Sequence, residues 1–194
     1  MTDATFTALI TSLLERVVMF GDPNTLGSAR APNFTFLITD KDRENVLAQA
    51  IQGLEPFKSR PVRGDDMAST PFAAVIVKPS WSVKDLAIAI LHELCHPADR
   101  RMRSLDLMPL LRQTMVTRGV RAVHLISAHN LLGGDPRLRS QLMCLLKDLQ
   151  ADRNNPLRIV FSGQPGLQKL LADDPQLSRR SNVVDLTKNS VHFI

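Results

Sequence analysis

Ala122-Val123-His124-Leu125-Ile126 runs directly into Ser127-Ala128-His129-Asn130, with Val120-Arg121 just before it. A short, nearly continuous apolar run bounded by polar residues reads as a strand covered on both faces. The polar residues that follow then mark the carboxyl end of that strand. Four other runs share the pattern: residues 34–38 (FTFLI), 72–77, 157–161 and 183–186. Between them lie stretches with helical spacing at 46–54, 85–96, 105–118, 137–153 and 165–171. In the longest of these, Leu138, Leu142, Leu145, Leu146 and Leu149 share one side. Strands alternating with helices predict an α/β fold, a three-layer sandwich around a five-stranded, mainly parallel sheet.

Ahead of the first strand, residues 6–20 read as an amphipathic helix and 21–32 as a turn-rich connector. The chain therefore divides into residues 1–32, a helix and connector, and an α/β domain over 33–194. Residues 55–70 read as a loop. The 194 residues suffice for a core without staples. No apolar run is long enough to cross a bilayer, and the first residues lack a basic leader, so no membrane role and a cytoplasmic location are expected. Cys95 and Cys144 have no metal-type spacing and are expected to be buried thiols. The net charge is +5 and the isoelectric point about 9.7, which suits a basic DNA-binding module as one alternative function. With no Tyr and one Trp, an aromatic platform for single strands is not expected.

The stretch from Val120 to Leu132 resembles the second nucleotide-binding segment of TniB-type transposition helper ATPases. These belong to the AAA+ class of P-loop NTPases and are related to the TnsC and ExeA-like ATPases. The resemblance continues through Ser162-Gly163-Gln164-Pro165-Gly166-Leu167 and Asp174-Pro175-Gln176-Leu177-Ser178-Arg179-Arg180, and covers residues 33–187. It implies strand order 5-1-4-3-2. No helical lid of the family's kind is expected after the fifth strand.

What the resemblance implies for chemistry is loss. A P-loop, GxxxxGK[ST], uses glycines to turn backbone N–H groups onto phosphates, a Lys to neutralise them and a hydroxyl for magnesium. The matching place reads Thr39-Asp40-Lys41-Asp42-Arg43-Glu44-Asn45-Val46. Both glycines are gone, Asn45 stands for the Lys and Val46 for the hydroxyl residue. Asp42 and Glu44 would face phosphate with like charge, which Lys41 and Arg43 offset in part. The Asp-Glu pair expected at the end of the third strand is replaced by Ile126 and Ser127. His129 and Asn130 follow that pair but fill neither role. Ser162 and Gln164 match the family's polar sensor of the γ-phosphate. Arg180, with Arg179 as a second candidate, matches an arginine finger that reaches a neighbouring subunit.

The reading is thus a non-hydrolysing, pseudo-ATPase subunit without bound ATP or magnesium. It is expected to assemble as a homo- or hetero-oligomer with AAA+-like subunits, with DNA as a further partner. A rival motif is His92-Glu93-Leu94-Cys95-His96, the HExxH pattern of zinc hydrolases, in which two His one helical turn apart bind zinc and Glu activates water. Pro97 interrupts that helix. A third ligand would have to come from Asp99, His124 or His129. No zinc is therefore expected.

Overall fold

The computed structural model describes residues 34–54, 69–152, 155, 157–187 and 192–193. The expected helix over 6–20, its connector to 32 and most of the 55–70 loop lie outside these residues. In chain order the elements are β1 (Phe34–Ile38), a 3-10 turn (Lys41–Arg43), α1 (Glu44–Gln52), β2 (Phe72–Ile76), α2 (Val83–Glu93), α3 (Ser104–Thr117) and β3 (Ala122–Ile126). There follow a 3-10 turn (Ala128–Gly133), α4 (Pro136–Gln150), β4 (Arg158–Gly163), a 3-10 turn (Pro165–Gln168) running into α5 (Lys169–Ala172), α6 (Pro175–Arg179), β5 (Ser181–Asp185) and β6 (His192–Phe193).

The sheet order is β2-β3-β4-β1-β5-β6. The first five strands are parallel, with Phe34 opposite Ile159 and Ser181, and Phe72 opposite Ala122. This is the 5-1-4-3-2 order implied by the resemblance. The sixth strand is an addition, pairing antiparallel with β5. All five residues of β1 and of β3 are buried, as runs without alternation require when both faces are covered.

Each face has its own core. Phe34, Phe36, Ile38, Val75, Val123, Leu125, Ile159 and Phe161 pack beneath α2, α3 and α4. Leu37, Phe72, Ala122, Val160 and Val184 pack against Leu47, Ala50 and Ile51 of α1. The fold is therefore three layers, helices on either side of the sheet.

Local chemistry sets the helix starts. A capping box opens α2: Asp85 N donates to Ser82 Oγ at 3.2 Å, and Ser82 N donates to Asp85 Oδ2 at 3.0 Å. The Ser82 hydroxyl, donating to Asp85 Oδ2 at 2.6 Å, and then the Ser82 backbone N–H hold the Asp85 carboxyl below its usual range. Asp135 before Pro136 and Asp174 before Pro175 start α4 and α6, each carboxylate accepting from backbone N–H groups.

Candidate functional site

In an open parallel sheet, ligands bind beyond the carboxyl ends of the strands where neighbouring connections diverge. Here that place lies past β1, β3 and β4. Only Thr39 and Asp40 separate β1 from the first helical turn. A phosphate-cradling loop needs several N–H groups free to converge. Thr39 N donates to Gly163 O at 2.9 Å, Arg43 N to Asp40 O at 3.1 Å, and Glu44 N to Lys41 O. Three of the turn's N–H groups are thus engaged, one by β4 and two within the turn. Asn45 and Lys41 are exposed, and Val46 packs against the α1-side core.

Glu44, the first residue of α1, is only 5% exposed. Its Oε2 accepts a hydrogen bond from Ser127 Oγ at the end of β3. His129 Nδ1 lies 3.7 Å from Glu44 Oε1 and accepts from Gln164 N at 3.3 Å. Ser127 sits at φ 55° and ψ 37°, a left-handed conformation that costs an L-residue roughly 1–2 kcal/mol. Gly163 makes room for this cluster: a Cβ there would fall 2.9 Å from His129 Nδ1 and 3.2 Å from its backbone N. Asn130 Nδ2 donates to Val77 O at 2.9 Å, tying the same turn to the end of β2. Sequence reasoning placed Glu44 in the first motif, and Ser127 and His129 together in the second. The structure brings them into one cluster.

Beside these engaged N–H groups stands the buried Glu44 carboxyl group. Ile126, which the resemblance aligns with a magnesium-holding Asp, is a buried residue of β3. Ser162 does not face the cluster. It is fully buried, and its Oγ lies 2.8 Å from His124 Nε2 on the α1 side of the sheet. Gln164 reaches the cluster through its backbone.

Arg179 ends α6 and Arg180 follows it; both are exposed. Phe34 N donates to Arg180 O at 3.4 Å, so the two arginines stand at the amino ends of β1 and β5. The cluster stands at the opposite ends. A five-residue strand puts about 17 Å between them, so the arginines and the cluster of one subunit do not meet.

The HExxH stretch is broken by the fold. Helix α2 stops at Glu93, with Leu94 as its cap. Cys95 is left-handed at φ 54°. Cys95 N donates to His92 O at 3.0 Å and His96 N to Leu91 O at 2.9 Å, a Schellman turn. His92 and His96 therefore do not share a helical face. Among the described residues no three His, Cys, Asp or Glu side chains converge as a metal-binding group. Both cysteines, expected to be buried, are exposed. Cys95 is carried outward by this turn, and Cys144 lies on the outer side of α4, whose inner side is filled by Leu142, Leu145, Leu146 and Leu149. Glycine suits the left-handed position, so Cys95→Gly is expected to raise stability by about 1 kcal/mol in urea unfolding. An unchanged or lower midpoint would show that the turn carries no strain.

Comparison with curated proteins finds no match. Among solved structures, the ADP form of the Aeropyrum pernix ORC2 protein is similar at a TM-score of 0.57 and 14% identity, over 93% of this chain and 46% of that one. The ADPNP-ADP complexes of the same protein give 0.54 and 14%, over 94% and 46%. The chain thus spans about half the length of those structures, and at that identity the likeness is one of fold. The model of the family described as "Bacterial TniB protein" matches residues 49–190. That span takes in β2 to β5 and the Ser127, Gln164 and Arg180 segments, and by it the chain belongs to the TniB family.

Proposed function

We propose that this chain is a non-hydrolysing AAA+-type subunit that acts by assembling with other AAA+-like subunits, in transposition or a related DNA-associated nucleoprotein complex. The observation that carries the reading is the turn after β1. The N–H groups of Thr39, Arg43 and Glu44 are bonded within the chain and Glu44 is buried at its end, where nucleotide phosphate would need an open cradle. The lost Asp-Glu pair supports the same conclusion, because metal holding and water positioning are each worth orders of magnitude in rate. Arg179 and Arg180 support assembly. They are exposed at the edge opposite the cluster, so a partner subunit is the surface they serve, and a guanidinium can pair with carboxylate or phosphate through two bonds. The basic charge is compatible with DNA in such a complex.

Two measurements test this. Phosphate release from ATP by the purified chain should equal that of a control with residues 39–46 scrambled. Replacing Arg179 and Arg180 together by Ala should leave stability within about 0.5 kcal/mol, since both are exposed. The same variant should weaken co-purification with the native partner about tenfold or more. If complex formation and any partner ATP turnover match wild type while the fold is intact, the arginines are bystanders. ATP turnover above the control removes the non-hydrolysing reading.

A further inference from the structure

Among the described residues two carboxylates are buried, Glu44 and Asp185. Asp185 serves its own turn, accepting from Thr187 N at 2.9 Å and from Thr187 Oγ1 at 2.6 Å. Glu44 does something different. It crosses 83 residues of sequence to Ser127, and its second oxygen, Oε1, has no hydrogen-bond partner among the described residues. A buried carboxylate kept in this state needs a reason, because its desolvation is costly.

We propose that Glu44, Ser127 and His129 form an internal clasp that replaces the magnesium nucleotide as the tie between the turn after β1 and the end of β3. In an ATPase of this fold, phosphates and metal span those two segments. Here the Ser127 hydroxyl donates directly to the Glu44 carboxylate, and a hydrogen bond to an ionised group is stronger than a neutral one. His129 extends the tie to β4 by accepting from Gln164 N beside the Glu44 carboxylate. Gly163 leaves the space His129 needs. Ser127 is held left-handed within the same cluster, the kind of strain that persists only when its surroundings over-determine it. The clasp keeps the carboxyl edge of the sheet in one arrangement with or without nucleotide. A subunit so tied presents a constant surface to its neighbours. This inference rests on the non-hydrolysing reading and gives it a structural cause.

The test is backbone hydrogen exchange on the isolated full chain, read in residues 39–46 and 127–134. Glu44→Ala and Ser127→Ala should each speed exchange in both segments, by about ten- to a hundredfold, as expected for losing one bond to a charged group. The double variant should be no faster than the faster single one, because each removes the same tie. Ser127→Ala is the milder change and serves if Glu44→Ala does not fold. Excess magnesium ATP should leave wild-type exchange unchanged in both segments. Acceleration confined to the substituted segment would overturn the clasp. So would protection of residues 39–46 by magnesium ATP. Either failure is separate from the assembly reading, which stands or falls on partner binding by the Arg179 and Arg180 variant.

Discussion

Lowering the pH from 7 to 3.5 is expected to remove on the order of 4 kcal/mol of folding stability through His124 alone. His124 lies in the middle of β3, wholly buried, and burial pushes its pKa from 6.5 down to about 3. Nε2 meets Ser162 Oγ at 2.8 Å, while Nδ1 is buried with no hydrogen-bond partner among the described residues. An imidazolium would need acceptors on both nitrogens, and only one is supplied. The unfolded chain therefore takes up a proton below about pH 6.5 that the folded chain refuses until about pH 3. In that window the unfolded state binds more protons, so stability falls as pH falls, by up to about 1.4 kcal/mol per pH unit.

Asp85 and Asp174 add to the loss in the same direction, below the ordinary carboxylate value of 3.8. Burial pushes Asp174 up, but the Lys147 hydrogen bond and the N–H donors of Leu177 and Gln176 together hold it below 3.8. Both carboxylates lose their stabilising bonds only as pH falls through their depressed values. Urea midpoints measured from pH 7 to pH 4 should follow the His124 slope. His124→Leu combined with Ser162→Ala should flatten it. An equal slope in that double variant would assign the acid sensitivity elsewhere.

Phe161→Ala should cost about 3–5 kcal/mol, a large part of what holds a domain of this size together. Phe161 is fully buried in β4 and stacks on Phe36 of β1, with ring centroids 4.5 Å apart and planes at 13°. Phe34 adds a tilted contact at 6.3 Å. The loss combines the ring's transfer free energy with the cavity left between two central strands, which cannot collapse without breaking the β1–β4 ladder. Phe161→Leu keeps most of the volume and should cost about 1.5 kcal/mol or less. A Phe161→Ala cost below about 1.5 kcal/mol by urea unfolding would contradict this packing.

The strands were the most legible part of the chain. The bounds of β1 and β3 coincide with their apolar runs, because a strand covered on both faces leaves no position for a polar residue except one with a partner. Thr35 in β1 and His124 in β3 are the polar members, and the partner of His124, Ser162, is 38 residues away. Helix ends were less legible. The periodicity of α2 runs on to His96, but the helix stops at Glu93 through a left-handed Cys95, which no Gly announces. Helix α6 carried a start signal in Asp174-Pro175, yet its five residues are too few to show a period. In the candidate site, the departures from the P-loop and Asp-Glu patterns were readable from residue types. The inward turn of Glu44 was not. A Glu opening a helix ordinarily faces water, and only the distant Ser127 and His129 give it a place inside.

The position of β1 also sets when the sheet can be completed. β1 lies between β4 and β5, so Phe34 must wait for Ile159 and Ser181 before it has a neighbour on either side. β2 and β3 can pair much earlier, Phe72 with Ala122. At roughly 5–20 residues per second, a ribosome needs on the order of ten seconds to deliver the far partners. Throughout that interval the nascent chain carries an unpaired strand with Phe34 and Phe36 uncovered. Such non-local pairing is slow and open to aggregation, so the centre of the sheet, its most buried part once folded, is the last to be protected during synthesis.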